Sequence, residues 1–429
     1  MKLVHIEDRT HDYIYLNITF NRGSFSDTAG KEGTAFLALK MLSRGTVSRT
    51  RDEFHEELTF IGSSMRTQVN FDHMRISCDC RRDTLGNLME LVQDMILRPS
   101  FSESEFQKLK NRHSQQLQDA LDSDSVVLSH FTGRALFEGL PMSKPSPGTR
   151  ETIRNIELED VRDFHRNFVT AEDLLVGVCG NISKEDALEV MTPIFDALDR
   201  TSPPPAIERP AYNRPGTDML FVHREGRSQA HLSIARLFPK TEPCDLVRMI
   251  VANTAFGDTF TSPLVREIRE KRGWSYGVDS LLSSGRQTGL HMMSYAPGNE
   301  TTVPAIELGR SLLEDALEDG IETEDIDFAR NYLTNRFPFS IETTRQRLLM
   351  ELKMILTDRS DDYLDRYTER VKETSPEQAN AAFSNRLRSQ RSVITVVGDR
   401  ALLEPLSNMT DIDSFREIPH NWTDDLPPR

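Results

Sequence analysis

Residues 33–46 read GTAFLALKMLSRGT, an apolar run with a glycine near each end. Four apolar side chains recur at the three- and four-residue spacing of one helix face: Ala35, Phe36, Leu39 and Leu42. This spacing predicts a helix over 34–42 that turns this face toward a core. The run contains no His, Cys, Asp or Glu. A helix built from it therefore offers no side chain that binds a zinc ion.

The chain is acidic, with 52 Lys and Arg against 67 Asp and Glu and a net charge of −15. This balance argues against nucleic acid or an anionic membrane as the main partner. The four cysteines form no C-x-x-C pair, so we expect reduced thiols in a cytosol-like compartment. The first residues carry acids and no apolar core, which is not typical of a signal or transit peptide. No apolar run reaches the roughly 18 residues of a membrane span.

A Pro-rich stretch divides the chain into two similar halves. We predict a linker at residues 202–216, between an N-terminal domain at 1–201 and a C-terminal domain at 217–429. Residues 178–181 end an apolar strand before a helix, and residues 396–399 do the same in the second half. The helix starts near residues 101 and 321 repeat at nearly the same offset. Two landmarks at one offset indicate a duplicated domain.

Each half alternates predicted strands with long helices. The strands expected from apolar and β-branched runs begin at residues 13–20 and 230–234, and others follow at 74–80, 278–282 and 289–294. Long helices are expected at 84–96, 103–123, 303–318 and 324–335. The pattern predicts an α+β fold with two duplicated domains, each a mostly antiparallel sheet packed with helices.

Four segments give the chain a resemblance to a known family. They are the frame around residues 33–46, Gly148-Thr149 before Ile153, Gly180, and SPLVREIREKRGWSY at residues 262–276. On these segments the chain resembles the pitrilysin/insulinase superfamily of zinc peptidases over nearly its whole length. It is most similar to the branch of similar-sized chains that includes mitochondrial processing peptidase and bacterial two-subunit peptidases. The resemblance implies that the chain forms half of a clam-shell enzyme around a chamber.

The residues that hold zinc in that superfamily are replaced here. Its box H-x-x-E-H places two ligands and a base on one helix face, and here the box reads FLALK at residues 36–40. The matching ligand positions carry Phe36, Lys40 and, on a later helix, Gln116, and Leu39 stands at the base position. We therefore expect no metal site in this chain. The neighbouring histidines, His55 and His113, are poor candidates for substitutes.

The superfamily also carries an Arg/Tyr pair in its second half, which matches Arg269 and Tyr276 here. We expect Arg269 on a helix that Gly273 ends, and Tyr276 in the following strand. Both side chains are hydrogen-bond donors, so the pair suits a substrate carbonyl or the oxyanion of a tetrahedral intermediate. Without the resemblance, Arg269 would be one solvated charge among many and Tyr276 a routine strand aromatic.

Substrates of the superfamily pair with an exposed sheet edge. This mode implies substrate-binding residues at Gln229, Ala230 and His231, and a second edge at residues 66–70. The processing peptidase carries a glycine-rich gating loop in its non-catalytic subunit, and residues 255–260 hold a single glycine. A bacterial two-subunit peptidase therefore fits better than a mitochondrial one.

Together these features predict a non-catalytic, zinc-free subunit of a heterodimeric metalloendopeptidase. Its expected partners are a peptide substrate and a homologous zinc-binding chain, which would carry the metal and H-x-x-E-H. Two alternatives stay open: a structural scaffold, as in the core subunits of the respiratory bc1 complex, and a peptide-binding or maturation subunit without peptidase activity. We expect a bacterial cytoplasmic location, or a periplasmic or organellar one if a precursor segment is removed.

Overall fold

A computed structural model describes residues 2–172, 174–200, 210–212 and 214–419. It contains one five-stranded sheet, one six-stranded sheet and many helices, which confirms the predicted α+β fold. No helix within this part of the chain is both long and apolar enough to cross a membrane. Most of the predicted linker, including residues 202–209, lies outside the described residues.

The first sheet comprises β1 (Lys2–Glu7), β2 (Tyr13–Phe20), β3 (Ser64–Val69), β4 (Met74–Arg81) and β5 (Leu174–Gly180). Its spatial order is β1-β5-β2-β4-β3, and only the β1–β5 pair is parallel. β5 is buried on both faces, whereas β3 at the edge alternates exposed and half-buried residues. The continuous burial of β5 is typical of an internal strand, and the alternating exposure of β3 is typical of an edge strand.

The second sheet repeats this arrangement. It comprises β6 (Thr217–His223), β7 (His231–Pro239), β8 (Val278–Ser284), β9 (Thr288–Tyr295), β10 (Ser392–Gly398) and β11 (Ser414–Ile418). Its order is β11-β6-β10-β7-β9-β8, so the strands β6 to β10 follow the same order as β1 to β5, with β11 added. Three of its five pairs are antiparallel. The predicted duplication is therefore present in the topology.

Among the described residues, eight helices accompany the first half of the chain: α1 (Thr34–Met41), α2 (Arg51–Phe60), α3 (Leu85–Leu97), α4 (Glu103–Ala120), α5 (Asp124–Leu136), α6 (Arg150–Asn155), α7 (Leu158–Phe168) and α8 (Lys184–Ala197). Eight follow in the second: α9 (Pro243–Gly257), α10 (Pro263–Val265), α11 (Thr302–Glu318), α12 (Thr323–Ser340), α13 (Thr344–Leu356), α14 (Tyr367–Glu373), α15 (Pro376–Leu387) and α16 (Leu403–Ser407). A π-helix, Arg266–Lys271, directly extends α10.

The two compact units are not consecutive stretches of chain. Unit 1 contains residues 1–120, 144–207 and 340–356, and unit 2 contains the rest. In unit 2, α5 packs on β6 and β10 through an apolar cluster that includes Val127 and Phe131. In unit 1, α13 packs on β5, where Gly177 leaves room for Leu352, since a Cβ there would lie 2.7 Å from its side chain. Each half therefore contributes one helix to the other half's sheet.

Candidate functional site

Backbone contacts at its N-terminus fix the position of α1. Gly33 has a φ of 100°, which favours glycine, and a Cβ there would meet Ile153 at 2.6 Å. The carboxylate of Asp27 accepts hydrogen bonds from the amides of Gly33 at 2.8 Å and Ala35 at 2.7 Å. Burial raises the pKa of Asp27 to about 7. A Cβ on Gly148 would lie 2.2 Å from the carbonyl oxygen of Glu32, so these two motif segments meet backbone to backbone.

Side-chain packing fills the face of α1 where the box lies. Leu39 is buried in the core of unit 1, as are Leu37 and Ala38. Phe36 is half-buried, and its ring stacks on the imidazole of His113 from α4, with centroids 4.1 Å apart and planes at 21°. The ammonium of Lys40 lies 5.6 Å from the Phe36 ring centroid. A stacked aromatic ring at position 36 and a lysine side chain at position 40 thus occupy the two positions that hold zinc ligands in the superfamily.

His113 serves this packing rather than coordination. Its Nε2 donates to the carbonyl oxygen of Pro147 at 2.8 Å, and burial lowers the pKa of the imidazole. Gln116 lies one turn further along α4 and is exposed. A hydrogen bond with its side chain partly opposes the lowering of the His113 pKa. His55 is exposed on α2. Among the described residues, no group of three or more His, Cys, Asp or Glu side chains is placed to hold a metal.

The residues at this face therefore do not fit a zinc ion. Phe36 and Leu39 have no lone pairs to donate, and an amide oxygen such as that of Gln116 is a poor neutral ligand. Lys40 carries a positive charge that repels Zn²⁺. The stack also occupies the space between α1 and α4 in which an ion would have to lie.

A second candidate site surrounds the π-helix of unit 2. Ser262 and Pro263 begin α10, with the Ser262 hydroxyl donating to the Thr259 carbonyl at 2.6 Å. Gly273, with a φ of 63°, ends the π-helix, as predicted, and the Trp274 amide donates back to the Ile268 carbonyl at 3.0 Å. Single π-turns are uncommon and frequently occur at functional sites.

The structure brings Arg269 and Tyr276 together. The Arg269 guanidinium lies 4.7 Å from the ring centroid of Tyr276 and 5.0 Å from that of Phe260. Tyr276 is 87% exposed and Phe260 is 72% exposed. Tyr276 lies at a bend before β8 rather than in a strand, so that detail of the prediction was wrong. Sequence reasoning missed Phe260, whose only signal was a lone aromatic side chain in a polar loop.

Arg269 differs from the charged residues around it. Lys271 and Arg272 both bind the carboxylate of Glu267, at 2.5 and 2.6 Å, and these hydrogen bonds lower the pKa of Glu267. Within the described part of the chain, no hydrogen bond or ion pair engages the guanidinium of Arg269. The guanidinium makes cation–π contacts with two rings, and its N–H groups stay available to an acceptor.

The predicted peptide-binding edge at residues 228–232 is wrong. β7 lies inside the sheet, between β10 and β9, and Ala230 is fully buried. Neighbouring segments already pair with the backbone of these residues. The Ala230 amide donates to the Pro297 carbonyl, and Gln229 forms a β-bridge with Gly298. On the other side, His231 pairs with Val397 of β10. The second predicted edge, at residues 66–70, does include a free strand, because β3 is the edge of its sheet.

Known proteins resemble this chain along most of its length. Residues 2–149 match the family model described as insulinase (peptidase family M16), and residues 155–333 match the one described as peptidase M16 inactive domain. A Bacillus subtilis relative named "Uncharacterized zinc protease YmxG" is 20% identical over 92% of this chain and 94% of its own length. A Helicobacter pylori relative named "Non-peptidase homolog YmxG" is 22% identical over 78% of this chain and 77% of its own.

Solved structures support the same fold. The crystal structure of a peptidase M16 inactive domain from Pseudomonas fluorescens aligns with a TM-score of 0.84 at 21% identity. The alignment covers 92% of this chain and 95% of that one. At this identity the likeness concerns the architecture, and the site is argued from the residues above.

Proposed function

The chain belongs to peptidase family M16, and we propose that it is a zinc-free subunit of a two-chain metallopeptidase. In this role it binds an extended peptide and presents Arg269 and Tyr276 to an active site carried by a homologous chain. The partner would hold the zinc and the general base of an intact H-x-x-E-H, since this chain offers residues for neither.

The observation that carries the proposal is the state of Arg269. Its guanidinium makes cation–π contacts with two exposed rings, and its N–H groups are not engaged by the described part of the chain. Tyr276 and Phe260 both contact Arg269, so their exposed rings adjoin, and adjoining exposed apolar groups often mark a contact with another molecule. A permanently charged donor at such a surface suits a carbonyl that becomes an oxyanion.

The packed face of α1 supports the zinc-free part of the proposal. Phe36 stacks on His113 beside the ammonium of Lys40, and of these three side chains only the imidazole could bind a metal, through a single ring nitrogen. The Helicobacter pylori relative is named a non-peptidase homologue, which is compatible with the same loss in that protein. The proposed division of labour places hydrolysis on one chain and additional charge stabilisation on this one.

That relative's name also favours a second candidate function, a peptide-binding or scaffold subunit without hydrolysis. Both candidates use the free edge of β3. They differ at Arg269, which only the first requires.

Mixing the two chains tests the proposal. We expect the purified chain alone to bind no stoichiometric zinc and to cleave no quenched fluorescent peptide. Addition of a homologous chain with intact H-x-x-E-H from the same organism should produce cleavage well above that of the partner alone. The control is a partner whose motif Glu is replaced by Gln, which should leave the mixture inactive. Full activity of the isolated chain would refute the proposal, and an inactive mixture that still binds peptide would favour the second candidate.

A further inference from the structure

Lys40 lies at the free edge of β3, and we propose that its ammonium group anchors a carboxylate of an extended peptide that adds to this edge. The inference rests on the proposed binding of peptide and adds a selectivity for acidic peptides. It assigns a binding role to a residue that the loss of the metal box would otherwise leave without one.

The hydrogen-bond pattern of β3 shows which backbone groups are available. The Asn70 amide donates to the His73 carbonyl at 2.8 Å, which makes residues 70 and 73 a hydrogen-bonded pair in the β3–β4 hairpin. Hydrogen-bonded and non-hydrogen-bonded pairs alternate along antiparallel strands, so the backbone N–H and C=O groups of Gln68 and Arg66 point toward β4. The N–H and C=O groups of residues 65, 67 and 69 therefore point away from β4, toward the free edge. This ladder is where an added strand would bind.

Lys40 acts directly on that ladder. Its Nζ donates to the carbonyl oxygen of Thr67 at 3.3 Å, which is long for a charged donor. The half-buried stem lies against Phe36. In the part of the chain that the structure describes, no carboxylate forms an ion pair with Lys40. Burial, with repulsion from Arg44, lowers its pKa. A half-buried ammonium with only one long hydrogen bond is poorly compensated.

The surroundings of Lys40 are also positive. Arg44 repels Lys40 and is itself close to Arg51 and Arg112. Glu105 is the acid in this group, and Arg44 at 3.1 Å and Lys108 at 2.7 Å already engage it. On a chain of net charge −15, this local excess of cations would attract an acidic segment of peptide.

Strand addition and carboxylate binding fit together at this place. An incoming peptide N–H would compete for the Thr67 carbonyl, which Lys40 holds only weakly. The released ammonium would then bind a carboxylate on the same peptide, replacing a long hydrogen bond to a neutral oxygen with an ion pair. The carboxylate could belong to an Asp or Glu side chain or to the peptide's C-terminus, since both present the same group.

Binding of three labelled octapeptides tests the inference by fluorescence anisotropy. The peptides alternate threonine and valine: one has a central glutamate and an amidated C-terminus, one has glutamine in its place, and one is the glutamine peptide with a free carboxylate. The full-length chain is compared with Lys40→Met, Lys40→Arg and the control Lys184→Met, which changes an exposed lysine at the start of α8. Thermal unfolding of each variant verifies that it is folded.

We expect the parent chain to bind at least one carboxylate-bearing peptide about tenfold more tightly than the amidated glutamine peptide. The preference should disappear in Lys40→Met and persist in Lys40→Arg and Lys184→Met. The peptide that the parent prefers shows whether the bound carboxylate belongs to a side chain or to the C-terminus. Equal binding of all three peptides by the parent, or a uniform gain of affinity in Lys40→Met, would overturn the inference and leave peptide binding intact. The second result would mean that Lys40 only guards the edge. Failure of every peptide to bind any variant would instead remove the proposed peptide binding itself.

Discussion

The α1–α4 face of unit 1 and the π-helix cluster of unit 2 have opposite characters. At the first, Phe36 and His113 stack in a largely covered space, and His113 satisfies its Nε2 within the unit. At the second, Arg269 lies beside two rings that are 72% and 87% exposed. The first face is largely covered by its own unit, whereas the second presents large side chains that the described part of its unit leaves exposed.

This contrast separates a face that serves packing from a face that is open to another molecule. At the first, Phe36 stacks on His113 and stabilises the contact between α1 and α4. At the second, the exposed rings gain little stability for their own chain, because little of their apolar surface is buried. Their presence beside Arg269 is therefore better explained by a contact with another molecule than by the fold.

The largest expected effect is a return of metal binding at the packed face. The fourfold variant Phe36→His, Leu39→Glu, Lys40→His and Gln116→Glu restores two ligands at i and i+4 and a third on α4. Because the α1 helix and the α1–α4 contact are present, we expect it to bind about one zinc ion per chain. Elemental analysis after dialysis measures the bound zinc, with the parent chain as control.

A fourfold variant that is folded yet holds no zinc would weaken the comparison. It would mean that the distance between α1 and α4 has changed along with the side chains. The triple variant that leaves Gln116 unchanged should bind zinc more weakly, because it supplies only two strong ligands.

The next largest effect concerns the exposed cluster. Arg269→Ala should lower turnover of the mixed enzyme by about 10²–10³-fold, the usual cost of losing one donor to a developing oxyanion. The value of kcat should fall more than KM rises, since the donor acts mainly in the transition state. Tyr276→Phe, which keeps the ring against Arg269 and removes the hydroxyl, should show a smaller loss.

Lys271→Met is the matched control for Arg269, because it removes a neighbouring cation that binds only Glu267. Phe260→Leu should lower turnover by about three- to tenfold, the value of one cation–π contact. Unchanged turnover in both Arg269→Ala and Tyr276→Phe, with the complex intact, would assign the cluster to partner binding alone.

The smallest effect is a pH dependence of the packed face. The pKa of His113 lies below its usual 6.5 because burial disfavours the imidazolium. Below pH 6.5 the unfolded state therefore binds more protons, and stability falls as the pH is lowered, by at most about 1.4 kcal/mol per pH unit. Asp27, whose pKa is raised to about 7, binds the N-terminus of α1 and acts in the opposite direction over the same pH range. The contribution of His113 is therefore measured as the difference between the parent and His113→Gln in the hydrogen exchange of α1 and α4 between pH 7 and 5.

Compared with the parent, His113→Gln should lose less protection, or gain more, as the pH falls from 7 to 5, whereas the exposed His11→Gln should follow the parent. The comparison of slopes is informative even if His113→Gln lowers stability at every pH. An equal slope in the parent and in His113→Gln would show that protonation of this ring does not limit the stability of the packed face.

Local patterns predicted several elements well. The helix expected at 34–42 is α1, the strand at 13–20 is β2, and Gly273 ends the helix that carries Arg269. These features depend on residues near one another in the chain, where helical spacing and glycine conformation act directly. The approach of Arg269 to Tyr276 belongs to the same group, since one helix end and one turn separate them.

Strand order was the main failure. Residues 228–232 were expected at an edge, yet β7 is internal and buried from Leu232 to Phe238. Its sequence shows no clear sign of this, because Ser233 and Arg236 interrupt the apolar run. The transfer of α5 and α13 between units has no local signature either, because each helix is amphipathic whichever sheet it covers.

By itself, the sequence determined that the box at residues 36–40 holds no metal ligand and that the chain is built from two related halves. Both follow from side-chain chemistry and short-range spacing. Only the tertiary structure decided that Phe36 stacks on His113, that Phe260 contacts Arg269, and that Lys40 reaches the edge of β3. These contacts join residues whose distance in space is set by sheet pairing and helix packing, which no local pattern encodes.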